Sequence, residues 1–137
     1  MYYIYTDGAS RGNPGDSAYG YVILKDDEVL YKGNGYLGEK TNNQAEYIAL
    51  LKGLKKLLEL NINKNVVIYM DSQLIVRQIN GIYKIKNKKL KEYYKKIVNL
   101  LGKIENWNIK HIKREENKIA DQLANDAIDS YIERSNG

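Results

Sequence analysis

Apolar positions along the chain follow two rhythms. Near the N-terminus, Tyr3-Ile-Tyr-Thr6, Tyr19-Gly-Tyr-Val-Ile-Leu24 and Glu28-Val-Leu-Tyr-Lys-Gly33 are short runs rich in aromatic and β-branched residues, which predict three strands. Gly12-Asn-Pro-Gly15 is a turn signal between the first two, and the polar Lys25-Asp-Asp27 suits a hairpin between the next two. Three strands joined this closely form an antiparallel meander, the first of them ending at Asp7-Gly8. From Tyr47 the spacing changes. Tyr47, Leu50, Leu51, Leu54 and Leu58 make the stripe of an amphipathic helix, with N-cap candidates in Thr41-Asn42-Asn43. Asn65 to Met70 is a buried strand ending at Asp71, and Ser72 caps a helix running to about Gln78, stopped by Gly81. A third helix spans Lys89 to Ile104, with Leu90, Tyr93, Tyr94, Ile97, Leu100 and Leu101 inward. Trp107 to Ile112 alternates like a half-buried strand, and a last helix runs from Lys118 to about Ile132 on Ile119, Leu123, Ala127 and Ile128. The order βββ-α-β-α-α-β-α predicts an α/β fold, one mixed sheet flanked by helices.

Length adds that residues 1–137 make a single domain, with no linker or repeat to divide them. No stretch approaches the ~18–20 apolar residues of a membrane span, and the N-terminus lacks the pattern of a secretory signal. The absence of cysteine excludes disulfides, a thiolate nucleophile and a cysteine-ligated zinc. The expectation is a soluble cytoplasmic monomer without a membrane partner. Net charge is +5, but its distribution says more. Between Lys84 and Lys96 seven lysines face one glutamate, leaving the rest of the chain slightly acidic. Such a stripe attracts a polyanion through counterion release, although lysine runs also serve as plain solvated helix faces.

Four carboxylates share similar addresses. Asp7 and Asp71 follow strands one and four, while Glu46 and Asp121 fall in the first turns of the first and last helices. Each has an ordinary role as cap, turn or dipole partner. Together they would form an uncompensated negative cluster, tolerated mainly around a divalent cation. All-oxygen donors select hard ions such as Mg²⁺ or Mn²⁺, and a pair of such ions would activate water against a phosphodiester. The sole histidine, His111, lies in a strand pattern, where it is poorly placed to activate a serine. The Gly8–Gly15 loop lacks the Gly-Lys-Ser/Thr ending of a phosphate cradle.

Four strings carry a resemblance: Tyr5-Thr-Asp7-Gly-Ala-Ser-Arg-Gly-Asn-Pro-Gly15, Thr41-Asn-Asn-Gln-Ala-Glu46, Met70-Asp-Ser-Gln73 and Glu116-Asn-Lys-Ile-Ala-Asp121-Gln-Leu-Ala124. In this order they resemble type 1 ribonuclease H over essentially the whole chain. The resemblance implies the ribonuclease H-like fold, a five-stranded mixed sheet with strands 1-2-3 antiparallel and strands 4 and 5 parallel. It further implies an endoribonuclease that cuts the RNA strand of RNA/DNA hybrids to 5′-phosphate and 3′-hydroxyl ends. Asp7, Glu46, Asp71 and Asp121 match an acidic quartet holding two Mg²⁺ ions, with Mn²⁺ as an alternative. In that quartet Asp7 bridges both ions, Asp121 serves the ion on the attacking-water side, and Glu46 and Asp71 serve the other. Ser10, Asn13, Asn42, Asn43, Gln44 and Gln73 match positions that touch the hybrid's minor groove, where a 2′-hydroxyl distinguishes RNA from DNA.

The chain also departs from the family's pattern. Ile112–Asn117 is too short for the flexible loop that carries a histidine in many relatives, and Arg114 is expected to reach the phosphate or departing product instead. Gly81–Leu90 is too short for an inserted basic helix, so the chain reads as a compact form. Tyr83, Lys84, Lys86 and Asn87 are expected to contact the DNA-strand backbone. No separate hybrid-binding domain precedes the catalytic one, so processive binding is not expected. Two rival readings remain at this point: a non-catalytic module of the same fold that binds structured RNA or hybrid, and a broader nuclease that also cuts double-stranded RNA.

Overall fold

The structure, a computed structural model, describes residues 1–136. Five strands form one mixed sheet: β1 (Tyr2–Ser10), β2 (Gly15–Lys25), β3 (Glu28–Lys40), β4 (Lys64–Met70) and β5 (Glu105–His111). Their order across the sheet is β3-β2-β1-β4-β5. β1 and β3 pair antiparallel with β2, whereas β4 pairs parallel with both β1 and β5. Four helices complete the fold: α1 (Asn42–Glu59), α2 (Gln73–Ile79), α3 (Lys88–Leu101) and α4 (Lys118–Asn136), with a 3₁₀ turn at Arg114–Glu116.

Two faces of the sheet are covered differently. Ile4, Tyr21, Ile23 and Ile68 pack with Tyr47, Leu50, Leu54 and Leu57 of α1, backed by Ile97 and Leu101 of α3, and form the main core. On the opposite face α4 lies against β2 through small residues, Ala18 meeting Ala127 and Ile128. Gly20 is the reason for this small-residue contact. A Cβ there would run into the Ala120 carbonyl and 2.7 Å from the Ala124 amide, so helix backbone rests directly on strand. The buried face of α4 is therefore Ala120, Ala124, Ala127 and Ile128, and the predicted stripe residue Ile119 is 47% exposed. Gly20→Ala is expected to cost about 1–3 kcal/mol, because neither backbone has a rotamer to yield. A denaturant midpoint unchanged from that of the parent would contradict this packing.

Strand ends differ from the sequence reading in a way that matters for the site. β1 does not stop at Asp7: its ladder with β2 continues to the Ser10–Ser17 pair, while its parallel ladder with β4 ends at Thr6–Met70. Asp7 thus sits just beyond the last β4 partner, at the notch where one neighbour continues and the other leaves. β3 likewise runs on from Gly33 to Lys40. α3 starts at Lys88 and ends at Leu101, close to the expected span. Between α2 and α3 only a short loop intervenes, with no further helix.

Candidate active site

The notch is filled by acids from four elements. Asp7 comes from β1, Glu46 from α1, Asp71 from the residue after β4, and Asp121 from the first turn of α4. Glu46 is the fifth residue of α1 rather than a first-turn residue, since Thr41 is the cap and no acid lies in that first turn. A capping box fixes this start: the Gln44 N–H donates to Thr41 Oγ1 at 3.2 Å and the Thr41 N–H donates to Gln44 Oε1 at 3.0 Å. Gly8 sets the closeness of the helix to the strand. A Cβ on Gly8 would overlap the Ala45 and Glu46 backbone, and without one the Gly8 N–H donates to Glu46 Oε1 at 2.6 Å.

Asp7, Glu46 and Asp71 each offer a carboxylate oxygen within 4.8 Å of the others'. Asp7 and Glu46 are buried and Asp71 half-buried. Burial first, then the charges of Glu46 and Asp71, push the Asp7 carboxyl up to about 10. Glu46 is pushed up to about 8 by burial and by Asp71, against the lowering pull of the Gly8 N–H. Asp121 lines the same cleft as Asp7 and adds to the upward push on its carboxyl. These donors are all oxygen and crowded, and among the described residues only Asp121 has a cation within 4.0 Å, Arg114, which fits a hard divalent cation such as Mg²⁺ or Mn²⁺ and suits neither zinc nor copper.

Further polar side chains hold the acids. Asn117, 1% exposed, donates through Nδ2 to the Thr6 carbonyl at 2.9 Å and to Asp71 Oδ2 at 3.1 Å. It thereby ties β1, β4 and the start of α4 together at the notch. Asn125 donates to Asp121 Oδ1 at 3.2 Å. The sequence reading singled out neither asparagine, although Asn117 lies inside the fourth motif and immediately before a helix.

A cleft of about 480 Å³ opens over the acids, lined also by Ser10, Arg11, Asn42, Asn43, Ser72, Arg114 and Asn125. The expected Ser10, Asn42, Asn43 and Arg114 therefore surround the quartet. Arg114 is 82% exposed, with Nη2 at 3.9 Å from Asp121 Oδ1. Asn13 accepts the Asn42 N–H at 3.1 Å and so joins the β1–β2 turn to the start of α1. Gln44 is committed to its capping box, and Gln73 is an exposed first residue of α2 beside the cleft-lining Ser72.

The lysine segment lies apart from the notch. Tyr83 and Lys84 border a separate apolar pocket of about 390 Å³ with Gln78, Ile85, Lys91 and Tyr94. Arg77 donates to the Tyr83 hydroxyl and stacks over its ring. Lys86 is exposed, and Asn87 caps α3 by accepting the Leu90 N–H at 3.2 Å.

The chain is similar to known proteins in sequence and in structure. Residues 5–127 match the family model described as reverse transcriptase-like. Ribonuclease HI of Halobacterium salinarum is 37% identical over 126 residues, which are 91% of this chain but only 63% of that protein's length. Ribonuclease H of Coxiella burnetii is 34% identical over 146 aligned positions, covering 96% of this chain and 92% of that protein. Among solved structures, LC11-RNase H1 in complex with an RNA/DNA hybrid superposes with a TM-score of 0.92 at 42% identity, covering 96% of this chain and 99% of that one. With the family model matched over residues 5–127 and a ribonuclease H 34% identical and covered over 92% of its length, the chain belongs to the ribonuclease H family.

Proposed function

We propose that this chain is a metal-dependent endoribonuclease that hydrolyses the RNA strand of RNA/DNA hybrids, leaving 5′-phosphate and 3′-hydroxyl ends. The observation that carries this reading is the convergence of Asp7, Glu46, Asp71 and Asp121 on one notch, with two of the acids pushed far above their ordinary range. A module that only bound nucleic acid would gain nothing from such repulsion at its binding face. The hybrid-bound LC11-RNase H1 supports the choice of substrate.

Asp7, Glu46, Asp71 and Asp121 would hold two divalent ions, Asp7 serving both, Glu46 and Asp71 one of them and Asp121 the other. When bound, two Mg²⁺ ions, or Mn²⁺ in their place, supply an activated water and neutralise charge gathering on the phosphate. The chain's own residues do the rest. The Gly8 N–H and the Asn117 amide fix Glu46 and Asp71, so the acids meet the phosphate without first rearranging. Ser10, Asn42 and Asn43 present short polar groups at the cleft rim, where they test for a 2′-hydroxyl. Asn13 and Gln44 brace that rim, and Gln73 adds a contact from α2. The exposed lysines, with Tyr83, Lys84, Lys86 and Asn87, bind the DNA-strand phosphates. One chain supplies all four acids, so in this reading cleavage needs no second copy of the chain.

Arg114 is exposed at the lip of the cleft and is the cation available to the cut phosphate. If it draws product out, Arg114→Ala slows multiple-turnover cutting by about tenfold while single-turnover cutting stays within about twofold. Equal losses in the two regimes would assign Arg114 to chemistry or to substrate binding. The proposal as a whole is tested by incubating the protein with end-labelled hybrid, duplex RNA and duplex DNA, each with and without chelator. Cutting of the hybrid's RNA strand alone, abolished by chelator, is expected. Cutting of duplex RNA as well would establish the broader nuclease, and binding without cutting would establish the non-catalytic module.

A further inference from the structure

We propose that Asn125, held in place by Arg11, is a positioning residue that aims the fourth carboxylate, Asp121, at its neighbour Asp7. The inference rests on the hydrolase reading above and concerns two residues that reading leaves without a role. Asp121 and Asn125 lie one turn apart on the same side of α4. The Asn125 Nδ2 donates twice, to the Asp121 carbonyl at 3.0 Å and to Asp121 Oδ1 at 3.2 Å. Its amide oxygen accepts from Arg11 Nη2 at 3.3 Å. Reversing the amide would set its oxygen against two acceptors and its nitrogen against a guanidinium, so these partners dictate the orientation. Arg11 is itself anchored one turn further along α4, with Nη1 at 2.7 Å from Asp129 Oδ1. The β1–β2 turn thus reads three successive turns of one helix face and sets the Asn125 amide.

Asp121 needs such a hold. It is half-buried, as Asp71 is, and it stands outside the group whose oxygens lie within 4.8 Å of one another. Arg114 waits 3.9 Å from the same Oδ1, beyond hydrogen-bond length. While the Asn125 amide holds Oδ1, the carboxylate is kept in the cleft that it lines together with Asp7. Without that amide, Arg114 is the cation within 4.0 Å of Oδ1 among the described residues, and it pulls the carboxylate towards the lip of the cleft.

The test uses Asn125→Ala, which keeps good helix propensity, and Arg11→Ala, which lies on an exposed turn outside the core. Removing a partner that orients a metal-binding group typically costs about 10–100-fold, so kcat for hybrid cleavage is expected to fall by that factor in Asn125→Ala with KM within about twofold. Arg11→Ala falls in the same direction by less, and Arg11→Lys, which keeps the charge facing Asp129 but loses the fork to Asn125, lies no higher than the parent. A second readout needs neither metal nor substrate. In ¹H–¹⁵N spectra of the metal-free protein, the Asn125 side-chain amide signals move on Asp121→Asn and again on Arg11→Ala. Unchanged kcat, a loss carried by KM alone, or amide signals indifferent to Arg11→Ala would each overturn the proposal. Failure of the parent protein to cut hybrid would instead sink the hydrolase reading, and the amide spectra would still decide whether the network exists.

Discussion

Replacing Asp7 by Asn is expected to reduce hybrid cleavage by about 10⁴-fold while making the metal-free protein more stable. Both effects have one cause. Asp7 is 5% exposed and lies with Glu46 and Asp71, and among the described residues none of the three has a lysine or arginine within 4.0 Å. Burial and those neighbours push its carboxyl up to about 10, so at neutral pH the metal-free folded protein must take up a proton there that the unfolded chain has released. An amide fills the same space and removes that cost, but it would be a poor ligand where the proposed mechanism has Asp7 serve both ions. Relief of active-site strain of this kind stabilises by about 1–2 kcal/mol, or about 4 °C in melting temperature per kcal/mol for a chain of this size. A rate assay and a thermal melt in chelator measure the two together. Loss of activity with loss of stability would mean that Asp7 is a packing residue whose removal damages the fold.

Stability without divalent ions is also expected to fall as pH rises. Asp7 goes from an ordinary 3.8 to about 10 on folding, and Glu46 from 4.5 to about 8. Between these limits the folded protein binds more protons than the unfolded chain, so raising the pH favours unfolding by at most about 1.4 kcal/mol per pH unit for each proton. The contribution is full below about pH 4 and is lost through the window up to about pH 8 for Glu46 and about pH 10 for Asp7. A divalent cation binds the ionised native site and displaces those protons. The melting-temperature gain on adding Mg²⁺ is therefore larger near pH 9 than near pH 5. Calorimetry in chelator and in Mg²⁺, with Asp7→Asn as the reference, isolates this site from the surface acids. A gain independent of pH would contradict the assigned electrostatics.

Most of the architecture was legible because burial imposes a period. The meander, the α1 stripe and the buried β4 run are each written in the spacing of apolar residues. What escaped was set by partners rather than by local pattern. β3 runs through Gly33, Gly35 and Gly38, residues poor in strands, because the rings of Tyr21 and Tyr19 lie over the first two and take the place of their missing side chains. β1 passes Asp7 because β2 continues beside it to Ser17. Ile119 turned outward because Gly20 draws the alanine face of α4 onto β2.

The quartet's residues could be named from motifs, and their convergence follows once β1 and β4 are adjacent. Asn117 and Asn125 could not be found the same way. An asparagine near a helix start is common, and only coordinates show which carboxylate it grips. Glu46 illustrates the same limit, since its reach depends on Gly8 having no Cβ, a fact visible only when helix and strand are placed together.

The central claim is that four acids, far apart along the chain, jointly hold divalent ions. Crystals of the protein with a non-cleavable hybrid, soaked in Mn²⁺ and measured at the manganese absorption edge, test it most directly. Two anomalous peaks are expected in the cleft, both in contact with Asp7, one shared with Glu46 and Asp71 and the other with Asp121. A map without manganese in the notch, or with manganese held only by surface acids such as Glu115 and Glu116, would contradict the account.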